Sequence, residues 1–204
     1  ILKTYQTYYF LPSRPADIVA TRIAGEKRAE KMLKRARWVA MFIRLFPFVR
    51  GIFLTGDLSK NVANKNSDID FMIITESNRL WVCRFFLIMF RKIFLLNFHK
   101  YFCVNYFLTK NSLYIDRHNI YTAVETATTK VLWNELLFHE FCTANHWIHY
   151  YIPNWQYTNS KTLCIPHGYP AFQKLLEKLL SLLPLNRIDH RLMKCWETYW
   201  KMRY

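Results

Sequence analysis

Residues 53 to 74 read Phe-Leu-Thr-Gly-Asp-Leu-Ser-Lys (53–60), Asn-Val-Ala-Asn-Lys-Asn-Ser (61–67) and Asp-Ile-Asp-Phe-Met-Ile-Ile (68–74). One apolar run ends at Gly56, and a second begins with two carboxylates a single residue apart. In an extended strand alternate side chains share a face, so Asp68 and Asp70 are expected to point one way and Ile69 the other. Like charges held side by side need a cation, and hard carboxylate oxygens suit Mg²⁺, which is usually held by one or two carboxylates plus substrate phosphates. Glycine lacks a Cβ, so the backbone N–H groups beside Gly56 can approach an anion closely. An isolated Asp-x-Asp is a weak signal. Preceded by a glycine turn and framed by two apolar strands, it supplies the parts of a phosphoryl-transfer site.

Thr55 to Lys60 with Ser67 to Phe71 resemble the signature of the DNA polymerase beta-like nucleotidyltransferase superfamily: an apolar residue, Gly, Gly or Ser, a spacer of about ten residues, then Asp-x-Asp. Tyr9-Phe10-Leu11, Pro47 to Thr55, Arg79-Leu80-Trp81, Cys103 to Phe107, Ile120 to Ala123 and Ile152-Pro153-Asn154 resemble an uncharacterised bacterial branch of nucleotidyltransferase-domain proteins. Members of that branch often carry a further N-terminal module, and this chain opens on Ile1 rather than methionine, so a fragment is expected. The resemblance implies an α/β (α+β) fold, with a small mixed sheet flanked by helices and a C-terminal helical arm. It also implies a Mg²⁺-dependent enzyme that transfers a nucleoside monophosphate from a nucleoside triphosphate to an acceptor hydroxyl. On the matching positions it makes Asp68 and Asp70 the metal ligands and catalytic acids, and Gly56 and Ser59 the walls of the phosphate pocket.

Two positions depart from the pattern. Asp57 stands where the superfamily has Gly or Ser beside the phosphates, and a negative charge about 4 Å from a phosphate costs roughly 4 kcal/mol at an effective dielectric near 20. Asn105 stands where many members place a third carboxylate, on the strand expected at residues 102 to 108. An amide can offer a metal its carbonyl oxygen, but it adds no charge and is a poor base. These departures favour an alternative, a catalytically weak or inactive module that binds nucleotide or nucleic acid.

The 204 residues can bury one sizeable core, and 52% hydrophobic with 18% aromatic residues excludes a disordered chain. Lys and Arg number 29 against 14 Asp and Glu, a formal +15. That field attracts polyanions, whether nucleotides, nucleic acid or an anionic membrane, without choosing among them; solubility alone is the plainer account. The most apolar stretch, Leu80 to Leu96, is interrupted by Arg84, Arg91 and Lys92, so it reads as a buried helix and not as a transmembrane segment. Five scattered cysteines with no C-x-x-C pair, and no signal-peptide pattern, point to reduced thiols in the cytoplasm.

Periodicity predicts a helix over 16–45, with Ile18, Ile23, Ala29, Met32, Leu33, Ala36, Val39, Ala40 and Ile43 on one side and Lys27, Arg28, Lys31, Lys34 and Arg35 on the other. The basic side is a candidate phosphate-backbone contact, although such faces are more often simply solvated. Strands are predicted at 48–55, 68–75 and 101–108, and helices at 79–96, 123–150, 171–183 and 186–202. The parts are an N-terminal helix (1–45), a nucleotidyltransferase core (46–153) and a loop with a helical arm (154–204). In the arm, Leu175, Leu176, Leu179, Leu180 and Leu183 make a stripe expected to be core or a partner surface. Trp196, Tyr199 and Trp200 among Lys194, Lys201 and Arg203 suit base stacking or an ordinary amphipathic helix.

Other side chains complete the inventory. Lys60, Lys65 and Arg79 are candidate phosphate contacts, with Lys60 preferred because it follows the glycine turn, so the nucleotide-binding set is Gly56, Asp57, Ser59, Lys60 and Arg79. Glu125 either supplies the missing acid or pairs with Lys130 on the same helix. His139, Cys142, His146 and His149 share a helical face but span about 15 Å, too far to meet one metal. A third class of function, an interaction or membrane-surface protein, rests on composition alone.

Overall fold

A two-stranded antiparallel ribbon, β1 (Lys3–Tyr5) and β2 (Tyr8–Phe10), precedes a long helix, α1 (Ile18–Ile43). There follow β3 (Val49–Thr55), the single turn α2 (Gly56–Ser59), β4 (Asp70–Thr75), α3 (Leu80–Phe94), β5 (Cys103–Thr109), α4 (Ile120–Ala127) and β6 (Lys130–Trp133). The chain ends in α5 (Glu135–Ala144), α6 (Ile148–Tyr151), α7 (Ala171–Leu180) and α8 (Leu185–Arg203). The computed structural model describes residues 3–5, 7–11, 17–95, 100–156 and 163–203. Ala16 and Leu96, at the ends of two predicted helices, and residues 157–162 of the predicted loop lie outside them.

The main sheet has the order β5-β4-β3-β6. β3 runs antiparallel to both β4 and β6, while β5 is parallel to β4 and is reached by a crossover through α3. This is the mixed sheet flanked by helices that the resemblance implies, with three of its strands where the apolar runs predict them. Strand alternation divides the core. Ile52, Leu54, Phe71 and Ile73 pack with α1 and α3 on one face. Phe53, Met72 and Ile74 pack on the other with Leu137, Phe138 and Phe141 of α5. The Phe53 and Phe138 rings meet edge to face at 4.8 Å.

Small residues let α1 lie close. It buries Gly25, Ala29, Ala36 and Ala40 with Val19, Met32 and Ile43, a face one residue out of step with the predicted Ile18 and Ile23 at its start. A Cβ on Gly25 would press on Val62 at 2.9 Å, and the Gly25 carbonyl accepts the Ala63 N–H at 3.2 Å. The loop that leads to Asp68 is therefore seated on α1.

One predicted helix, 123–150, proves to be four elements: most of α4, then β6, α5 and α6. The break comes at Asn134, whose φ of 67° is left-handed and whose side chain caps α5 at Leu137 N–H. The run at 130–133 is only four residues, too short for periodicity to separate strand from helix, and pairing with β3 makes it a strand. Asn145, fully buried between α5 and α6, accepts from Ile115 N–H (2.9 Å) and Trp147 Nε1 (3.1 Å) and donates to Leu113 O (2.8 Å) and Phe141 O (2.9 Å). One amide thus pins the segment after β5 over the sheet.

The C-terminal helices are stitched to the core by polar groups. Gln173 of α7 donates to Phe46 O (2.9 Å) and Val49 O (2.8 Å). Glu177 accepts from the Phe48 N–H (2.7 Å) and from both terminal guanidinium nitrogens of Arg50 (2.8 and 2.9 Å), while Arg50 Nε donates to Glu76. On α8, Asp189 accepts the Val82 N–H at 2.9 Å and so caps α3. Trp196 lies over the Arg84 guanidinium, 5.1 Å from ring centroid to Cζ, so that ring is engaged by the protein itself. The leucine stripe of α7 is divided: Leu180 packs against the core and Leu176 is half-buried, while Leu175, Leu179 and Leu183 are exposed and the buried residue of the helix is Gln173. Among the described residues no helix is long and apolar enough to cross a membrane.

Candidate active site

Hydrogen-bond register brings the two halves of the sequence motif together. β3 arrives extended at Thr55, directly opposite Asp70 at the start of β4. Gly56 then takes φ +69°, a conformation that L side chains rarely adopt, and turns the chain into α2. A Cβ there would also collide with the Asp70 carboxylate, so the position is closed to other residues on two grounds.

A cavity of about 650 Å³ opens over this end of the sheet. Gly56, Asp57, Asp70 and Asn105 line it. Asn105 arrives there by a bulge: Phe71 pairs with Val104 and Met72 with Tyr106, leaving Asn105 as the extra residue of β5. Glu125 of α4 completes the acidic wall. Asp68 precedes the first residue of β4 and is half-buried; it does not line the cavity, though its charge reaches Asp70.

Burial is the largest influence on Asp70 and pushes its carboxyl above the usual range. A hydrogen bond with the Cys103 thiol pulls it down by less, and Asp68, Asp57 and Glu125 add repulsion in that order. The same burial, reinforced by Asp70, pushes the Cys103 thiol up to about 12, so it stays protonated. Asp57 Oδ2 accepts a hydrogen bond from Ser67 Oγ at 3.1 Å.

The other expected ligands divide. Lys60 Nζ bridges Glu125 Oε1 (2.5 Å) and Gly56 O (3.3 Å), which holds it beside the turn. Glu125 therefore pairs with Lys60 and not with Lys130, which lies on β6 and donates to Asn61. Ser59 is buried and donates to Gly56 O at 2.8 Å, so it fixes the turn and does not face the cavity. Arg79 is at the opposite end of β4 from Asp70, where its Nη1 donates to Asn186 Oδ1 and Asn78 O, both at 2.6 Å. Tertiary docking of α8 captures that side chain and takes it out of the nucleotide-binding set. Lys65 contributes its carbonyl to Lys100 Nζ at 2.8 Å.

Four further residues meet at the cavity that no motif marked. Arg117, Tyr106, Tyr121 and Thr122 line it, and Arg117 is the cation among its described lining residues. Tyr106, Tyr121 and Thr122 fall within segments, 103 to 107 and 120 to 123, that carried the family likeness with no chemistry attached to these three. Among the described residues no group of three or more His, Cys, Asp or Glu could hold a metal ion, and this includes the face formed by His139, Cys142, His146 and His149. The oxygen donors of the pair Asp68 and Asp70 are of the type that suits Mg²⁺, which completes its shell with water and phosphate. A cation would relieve the repulsion on Asp70.

The shift on Asp70 has a sign that can be measured. The folded state holds this proton more tightly than the unfolded chain, so stability is lost as pH rises from about 4 through the raised folded value. Asp70→Asn is expected to be more stable than wild type at pH 7 without Mg²⁺, with the gain vanishing below about pH 4. Urea unfolding at the two pH values checks this.

No match to the chain is found among protein-family models, curated proteins or solved structures.

Proposed function

We propose that this chain is a Mg²⁺-dependent nucleotidyltransferase that moves a nucleoside monophosphate from a nucleoside triphosphate to an acceptor hydroxyl. One observation carries the reading: the left-handed glycine turn sits against Asp70, in a cavity it shares with Asp57, Asn105 and Glu125. Mg²⁺, held by Asp68 and Asp70, would neutralise phosphate charge and favour departure of pyrophosphate. The acceptor oxygen bonds to the α-phosphorus as the bond to the bridging oxygen breaks. Pyrophosphate leaves with that electron pair, and the hydroxyl proton passes to a carboxylate of the cavity.

The chain's own residues do the rest. Gly56 lets backbone amides reach phosphate, and Lys60 steadies the turn through the Gly56 carbonyl. Arg117 can pair with an anionic tail, while Tyr106 and Tyr121 offer aromatic walls to a base. A nucleic-acid acceptor on the basic surface belongs to the same proposal. On α1, Lys27, Lys31 and Lys34 are exposed, whereas Arg28 is bonded to Ala63 O and Arg35 to the Tyr101 hydroxyl. So does a cytoplasmic setting, since the five cysteines are free thiols. Asp57 and the amide of Asn105 favour a second reading, a module that binds nucleotide and turns over slowly or not at all.

Pyrophosphate release with each nucleoside triphosphate, measured across a panel of acceptors with and without Mg²⁺, tests the proposal. Asp70→Asn is expected to lower the rate by about 100-fold or more. Activity that survives the substitution overturns the mechanism, and nucleotide binding without turnover selects the second reading.

A further inference from the structure

α7 docks on the core through polar groups as well as Leu180, and leaves a second apolar side facing outward. Its polar Gln173 and Glu177 face the core, held by Phe46 O, Val49 O, Phe48 N–H and Arg50. The outward stripe is apolar: Phe172, Leu175 and Leu179, continued into the following turn by Leu182 and Leu183, are 50% to 83% exposed. Lys174 and Lys178, one turn apart, are exposed on the same helix. Such a stripe of large apolar side chains on a helix marks an interaction surface.

Charge and size narrow the occupant. Each copy of the chain carries a formal +15, so two copies repel one another. Five side chains are also far fewer than the roughly 20–30 residues a side of a standard protein interface. A lipid surface with anionic headgroups has neither difficulty. The apolar stripe enters the boundary between headgroups and acyl chains, Lys174 and Lys178 reach the phosphates, and the net charge draws the chain to the surface. We propose that α7 docks this protein on an anionic membrane surface, lying in the interface plane. The geometry leaves the cavity accessible, because α7 holds the start of β3 near Arg50 and Gly56 follows the far end of that strand. This inference is independent of the catalytic reading.

Flotation of the full chain with vesicles of phosphatidylcholine alone, or of phosphatidylcholine and phosphatidylglycerol at 7:3, tests it. Binding is expected only with the anionic lipid and is expected to weaken with salt. The pair Leu175→Ser with Leu179→Ser should reduce partitioning at least tenfold, and Lys174→Glu with Lys178→Glu should reduce it while keeping the apolar stripe. All four positions are exposed, so thermal melts serve as the folding control. Absence of binding, equal binding to both vesicles, or binding unaffected by either pair overturns the proposal. Sedimentation that shows a dimer dissolved by the leucine pair assigns the face to a second copy and overturns it as well.

Discussion

Asp57→Ser is expected to tighten nucleoside triphosphate binding by roughly ten- to a thousand-fold at fixed Mg²⁺. The upper figure is the roughly 4 kcal/mol that a carboxylate about 4 Å from a phosphate costs at an effective dielectric near 20. The lower figure allows for Mg²⁺ screening and for the Ser67 hydroxyl, which holds Asp57 Oδ2 at 3.1 Å. Serine removes the charge and keeps a hydroxyl that Ser67 can meet. Titration calorimetry gives the answer by its sign. If Asp57 is a ligand of Mg²⁺ together with Asp68 and Asp70, the same substitution weakens binding. If affinity does not change, Asp57 lies outside the reach of the phosphates. The substitution also removes one of the charges that raise the Asp70 carboxyl.

Glu177→Ala is expected to cost about 2–4 kcal/mol of folding stability, the loss of charge-assisted hydrogen bonds and of the acceptor for one part-buried amide. Its two oxygens satisfy three donors, the Phe48 N–H and two nitrogens of an Arg50 side chain that is 14% exposed. Alanine leaves Arg50 with Glu76 and Val49 O, and leaves the Phe48 amide without its acceptor. In a chain of this size the loss corresponds to a fall in melting temperature of about 10 °C. Glu177→Gln, which keeps an acceptor for Phe48 and removes the charge, should lose less. Urea unfolding of the three proteins measures both steps.

Residues close in sequence explain what was legible beforehand. Three of the four main strands show as short apolar runs bounded by turn residues. The spacing of Gly56 and Asp70 anticipates their contact because a hairpin-like return brings the ends of adjacent strands together. β6 did not show, since Lys130 to Trp133 becomes a strand only when β3 lies beside it. Arg79 was misread for a similar reason: a cation opening a helix suggests phosphate, but its partner Asn186 is 107 residues away. Arg117 belongs to no local pattern, and Tyr121 lies in a segment that carried a likeness but no chemistry, so the fold alone carries both to the cavity. The leucines of α7 read as core or a partner surface, and periodicity cannot divide them because it does not reveal that Gln173 and Glu177 have partners at residues 46 to 50.

The direction of these long-range bonds bears on how the protein is made. Phe48 and Arg50 leave the ribosome early and wait for Glu177, while the start of α3 waits for Asp189. A nascent chain that has completed all four strands of the sheet still carries a guanidinium paired with Glu76 alone, and the Phe48 and Val82 amides lack their acceptors. Closure thus falls to α7 and α8, and a chain stalled or clipped ahead of them would present an unfinished surface to chaperones and proteases.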